Sequence, residues 1–135
     1  ELEHRYVVCN LTAHVPELDD DGPAFDAVLL DAPCTGLGNL ARHPEIRWIR
    51  RHEDIAARAE LQRALLRRSL PRVRPGGRLV YAVCSPEPEE GPAVVEAVLA
   101  DPPVPGVRVV DARLFSPEHD GTEGFWVARL DRDGA

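Results

Sequence analysis

Two cysteines carry the residue pattern most able to do chemistry. Cys34 lies in LLDAPCTGLG (Leu29 to Gly38) and Cys84 in YAVCSPEPEE (Tyr81 to Glu90). Each follows a short apolar run, and each run gives way to Pro, Ser, Thr or Gly. Taken singly, either cysteine reads first as a small buried hydrophobe. The pair at matching strand ends points to chemistry instead, and three kinds fit. A redox couple requires the sulfurs to reach bonding distance. A Cys–His hydrolase requires a histidine beside one thiol, for which His43 is the candidate, and an oxyanion hole, for which no residue stands out. The third is covalent activation of a pyrimidine. C5 of cytosine is too weak a nucleophile to take a methyl group directly, but a thiolate adding to C6 makes C5 enamine-like. A carboxyl group on the polar edge of the base would hold the ring and support charge at N3, and Asp31 is placed for that.

Those groups need strands that end together. Phe25 to Leu30 (FDAVLL) is an apolar run of strand length, as in a strand buried on both faces of a parallel sheet. Asp54 is a candidate N-cap for a helix to about Leu70, with Ile55, Ala59, Leu61, Leu65, Leu66 and Leu70 on its apolar side. Pro75-Gly76-Gly77 predicts a turn, Arg78 to Val83 the next strand, and Glu89 to Leu99 a second helix. Val107 to Leu114 and Phe125 to Leu130 read as a late strand pair. Tyr6 to Cys9 predicts a short first strand, with Cys9 structural inside it, followed by a polar loop through Asp19, Asp20, Asp21 and Gly22. The order predicts an α/β fold, mostly parallel, with an antiparallel C-terminal strand pair. In such open sheets ligands sit beyond the carboxyl ends of the strands, where Asp31, Cys34 and Cys84 all lie.

At 135 residues the chain predicts a single domain, 1–135. Three cysteines without a CxxC pair argue against a disulfide scaffold, and their spacing from the five histidines against a zinc site, which leaves free thiols in a reducing cytoplasm. No run approaches the apolar length of a membrane span. The net charge of −7 argues at first against nucleic acid, but its distribution is uneven. The chain has no Lys, and between Arg42 and Arg78 eleven arginines face Glu45, Glu53, Asp54 and Glu60, a local charge of +7. Such a segment is either the solvated face of one helix or a phosphate-facing surface.

The segments DAPCTGLG (Asp31 to Gly38), RHPEIRW (Arg42 to Trp48), LQRALL (Leu61 to Leu66), RPGGRLVYAVCSPEPEE (Arg74 to Glu90) and GTEGFWVARL (Gly121 to Leu130) together resemble the carboxyl-terminal half of the RNA (cytosine-5) methyltransferases of the ribosomal RNA type, the Sun or Fmu proteins. The resemblance covers most of Phe25 to Leu130. It implies a Rossmann-like, S-adenosylmethionine-dependent fold and an RNA partner, with ribosomal RNA expected. It also implies Cys84 as nucleophile, Cys34 as the group that assists release of methylated RNA, and Asp31 and Pro33 at the target base and near the cofactor's methyl. It places the nucleophile in the later motif, whereas DNA cytosine-5 methyltransferases carry it in the earlier Pro-Cys motif. Under the resemblance Arg42, Arg47 and Arg50 become candidate RNA contacts.

The chain departs from the family pattern in three places. The Gly-rich cofactor loop, the acidic residue after it and the lysine that joins the aspartate at the base would lie before Glu1. Asn10, in VVCNLTAHVP, stands where an aspartate near the adenine is usual, and Val83 replaces the usual Thr before the nucleophile. The expectation is therefore that the polypeptide on its own binds S-adenosylmethionine weakly and is inactive. Two alternatives stay open: a methyltransferase of another substrate with Cys84 structural, and a non-catalytic RNA-binding or scaffold remnant. Trp48 and Trp126 read as core or rim aromatics, His43 as a loop residue, and Glu89 and Glu90 as acids favouring a helix amino end.

Overall fold

The computed structural model describes residues 6–15 and 24–134. Four strands form one sheet in the order β1-β2-β4-β3, with β1 at Phe25–Asp31, β2 at Val73–Val83, β3 at Val107–Phe115 and β4 at Phe125–Arg132. β1 and β2 pair in parallel, while β4 lies antiparallel between β2 and β3. The helices are α1 (Ile46–Ile49), α2 (His52–Ser69), α3 (Pro92–Leu99) and α4 (Pro117–Asp120). The α/β architecture and the antiparallel C-terminal strand pair are those expected from the sequence, but the sheet is mixed and not mostly parallel: among the described strands only β1 and β2 run in parallel, because β4 inserts antiparallel beside β2.

The core lies between one face of the sheet and the two longer helices. Leu79, Tyr81 and Val83 of β2 alternate inward and pair with Leu130, Ala128 and Trp126 of β4. Leu65 and Leu66 of α2 and Val94, Val95 and Val98 of α3 close over them. Tyr81 and Trp126 meet edge to face at 6.0 Å.

Several boundaries and burial expectations are corrected. Tyr6 to Cys9 forms no strand, and Cys9 is exposed; an apolar run makes a strand only where a neighbouring ladder receives it. The acidic loop expected around residues 19–22 lies outside the described residues. β1 is an edge strand among the described residues, so only Val28 and Leu30 turn into the core while Leu29 stays 72% exposed. Burial on both faces is thus not found. α2 begins at His52, and Asp54 is its third residue, accepting the Arg51 N–H at 2.9 Å rather than capping as the preceding residue. α3 begins three residues later than expected, because Glu87 to Glu90 form a turn first and Pro92 opens the helix. Pro75-Gly76-Gly77 is a bulge inside β2, where the pairing with β1 shifts and Gly76 takes φ +76°.

Candidate active site at the ends of β1 and β2

The parallel ladder brings the two cysteine motifs to one level. Asp31 pairs with Ala82, two residues before Cys84, and the Ala32 N–H donates to the Ala82 carbonyl at 2.9 Å. Both chains then leave the sheet, and the sulfurs of Cys34 and Cys84 come to 3.1 Å. Both are half-buried free thiols. The loop after Cys34 is tied back as well: the Gly38 N–H donates to the Cys84 carbonyl at 3.0 Å, and the Gly124 N–H donates to the Gly38 carbonyl at 3.1 Å. A Cβ on Gly38 would fall 1.8 Å from the Gly124 oxygen, so this crossing accepts only glycine.

A buried carboxylate sits behind the pair. Glu90 is 0% exposed and accepts the Thr35 N–H on Oε1 at 2.8 Å and the Thr35 hydroxyl on Oε2. Gln62 of α2 donates its amide both to Glu90 Oε1 at 3.1 Å and to the Pro33 carbonyl at 3.0 Å. The Tyr81 hydroxyl donates to the Glu90 backbone carbonyl at 2.7 Å, and Arg50 Nε donates to the Thr35 carbonyl at 2.9 Å. The Pro33–Thr35 segment is thereby held by Gln62 of α2, by Arg50 just before that helix and by Glu90 in the loop before α3, which Tyr81 of β2 holds in turn.

Burial pushes the Cys34 thiol up to about 12, reinforced by its hydrogen bond to Cys84 and by the charge Cys84 would carry. Cys34 therefore holds its proton beside the Cys84 sulfur. Burial likewise raises the Tyr81 hydroxyl far above its usual range, with Glu90 and Cys34 adding to it, and keeps it a neutral donor.

The structure thus brings Cys34, Cys84 and Asp31 to one end of the sheet. Asp31 and Pro33 are exposed there. Asn10 is exposed too, but its side-chain oxygen is taken up by the N–H and hydroxyl of Thr12. Arg42 is paired with Glu123 at 2.7 Å, and Arg47 is exposed with no ion pair among the described residues. Arg50 is half-buried and braces the Cys34 loop. His43 is an exposed loop residue against Glu45, in line with the sequence expectation. Trp48 is 84% exposed and belongs to no core, whereas Trp126 is half-buried against Tyr81.

Glu90 corrects the reading of that acid as helix-end decoration. Nothing in EPEE distinguishes it from its neighbours. Gln62 did carry a signal, as a polar side chain on the apolar side of α2 beside Leu65 and Leu66. Among the described residues no His, Cys, Asp and Glu side chains group in threes to hold a metal ion, and no helix is long and apolar enough to cross a membrane.

The α/β sheet superposes on those of solved structures that include a methyltransferase homologue. NSun6 from Pyrococcus horikoshii with SFG is 28% identical, aligns over 96% of this chain and 34% of its own, and superposes with a TM-score of 0.78. A methyltransferase homologue, also from Pyrococcus horikoshii, is 32% identical over 82% of this chain and 40% of its own, with a TM-score of 0.68. Residues 2–131 match the family described as 16S rRNA methyltransferase RsmB/F, and the chain belongs to that family. Ribosomal RNA small subunit methyltransferase B of Vibrio cholerae is 50% identical over 84 residues, 62% of this chain and 19% of that protein. Its counterpart in Salmonella arizonae is 53% identical over 73 residues, 54% of this chain and 17% of that protein. The chain thus spans about a fifth of the length of these curated relatives.

Proposed function

We propose that the protein containing this chain transfers a methyl group from S-adenosylmethionine to C5 of a cytosine in ribosomal RNA of the small subunit, through a covalent bond between Cys84 Sγ and C6. The single observation that carries this reading is the 3.1 Å approach of the two cysteine sulfurs beside the strand end that holds Asp31. A redox couple would use the same approach, but the family membership favours methyl transfer.

In this account the Cys84 thiolate adds to C6, while the Asp31 carboxyl group hydrogen-bonds the polar edge of the base and supports charge at N3. C5 becomes enamine-like and able to take a methyl group. When the C5 proton passes to a base, the Sγ–C6 bond breaks and Cys84 leaves as thiolate. Cys34 keeps its proton and offers it to that sulfur, which assists release of the methylated RNA. S-adenosylmethionine, when bound, supplies the electrophilic methyl. Asp31, Pro33 and Asn10, all exposed, are the residues of this chain that would hold it. SFG, the compound named with the NSun6 neighbour, is an S-adenosylmethionine analogue. Arg42 and Arg47 would meet RNA phosphates, and the site of action would be the cytoplasm.

The test is methylation of a small-subunit ribosomal RNA transcript by the full-length protein, read by nucleoside mass spectrometry. 5-Methylcytosine that disappears in Cys84→Ala supports the reading. Methyl transfer that survives this substitution, or that appears on another nucleoside, overturns it.

A further inference from the structure

Glu90 is the one carboxylate among the described residues that is wholly buried, and every acceptor position used on it points at the Cys34 loop or at the helix bracing that loop. It takes both donors of Thr35, the residue after Cys34, and shares Gln62 with the carbonyl of Pro33, the residue before Cys34. Gln62 reaches two acceptors with one nitrogen, which fixes the orientation of its amide. The backbone of Glu90 is held in turn by the Tyr81 hydroxyl, so the clamp is anchored to β2, the strand that leads into Cys84. Thr35 Oγ1 also lies 3.4 Å from the hydroxyl of Ser85, the residue after Cys84. A buried carboxylate is costly unless its hydrogen bonds are satisfied, and a merely structural position would be filled more cheaply by an apolar side chain.

We propose that Glu90 is a positioning residue for the cysteine pair: its carboxylate fixes the Pro33–Thr35 turn so that the Cys34 sulfur stays against the Cys84 sulfur. The inference rests on the reading of Cys34 as the group that assists release of the Cys84 adduct. The charge of Glu90 acts in the same direction as the geometry, since it adds to the forces that keep Cys34 protonated.

The test uses the full-length protein in a Cys9→Ala background and needs no RNA in its first arm. Phenylarsine oxide forms two As–S bonds and releases water only where two thiols are held together, so its affinity reads the pairing directly. Glu90→Gln and Thr35→Val should each weaken capture by about tenfold or more, because each leaves buried donors or acceptors unmatched, while Thr35→Ser restores it. The second arm incubates each variant with ordinary cytosine RNA and cofactor. Glu90→Gln and Thr35→Val should accumulate unreleased covalent adduct, as is expected of Cys34→Ala, with adduct formation little changed. Circular dichroism establishes that each variant is folded, and should Glu90→Gln fail to fold, the Thr35→Val and Thr35→Ser pair decides. A folded variant that captures the arsenical as tightly as the parent overturns the proposal. Weakened capture in the variants with no adduct in any protein, the parent included, would leave Glu90 as the clamp and fail the proposed reaction instead.

Discussion

The sulfur of Cys34 lies 3.1 Å from the sulfur of Cys84, although fifty residues separate them in the chain. The parallel pairing of β1 with β2 makes this approach, and the Gly38 and Glu90 contacts hold it. Each part of that arrangement has a measurable consequence.

Sulfurs in contact should couple under mild oxidation. Diamide treatment of the full-length Cys9→Ala protein is expected to give a Cys34–Cys84 disulfide in peptide maps, the diazene being reduced to the hydrazine. Adduct formation should be lost with it and return with dithiothreitol. Disulfides found only between molecules would contradict the observed pairing.

The raised Cys34 thiol sets a pH dependence. Its folded-state value of about 12 stands above the ordinary 9.0, so the folded protein holds this proton more tightly than the unfolded chain does. The associated stability is complete below about pH 9 and is lost as pH rises toward about 12. Urea unfolding should therefore show a steeper alkaline loss for the parent than for Cys34→Ala. In alkylation with iodoacetamide, read by mass spectrometry, Cys34 should react only at strongly alkaline pH.

Gly38 is a packing prediction. Its alanine variant forces a methyl group into the Gly124 carbonyl, and overpacking of this kind costs about 1–3 kcal/mol. Gly134, where an added Cβ would have nothing within 4 Å, is the control and should tolerate alanine freely. Equal unfolding midpoints for the two variants would remove the close crossing from the account.

Arg47 and Arg50 should separate. Arg47 is exposed and free of ion pairs among the described residues, so Arg47→Ala should weaken RNA binding and lower the slope of log affinity against log salt by about 1. Arg50 donates to the Thr35 carbonyl, so Arg50→Ala should also slow adduct release. Filter binding across a salt series, combined with single-turnover kinetics, distinguishes the two.

Much of this site was legible in the chain because it depends on local signals. Apolar runs ending in Pro and Thr, or in Ser and Pro, mark where β1 and β2 stop, and they put both cysteines at one end of the sheet. The contacts that fix the pair depend on tertiary packing and were not legible. Glu90 looks like Glu89 until the fold turns one inward and leaves the other in water. Arg50 looks like Arg47 until the Thr35 carbonyl comes within reach of one of them. The apolarity of FDAVLL announces a strand but not how many neighbours cover it, and Leu29 is left open for that reason. Trp48 misled in the same way, since its size suggests a core that the short α1 does not enter.

The most direct measurement is trapping of the full-length protein on RNA carrying 5-fluorocytosine at the target position, with the attached peptide identified by mass spectrometry. Because fluorine at C5 is not lost as a proton is, the sulfur stays bonded to C6. The expected result is a cofactor-dependent adduct on the peptide containing Cys84, absent in Cys84→Ala and retained in Cys34→Ala. An adduct mapped to Cys34, or one that persists without Cys84, would contradict it.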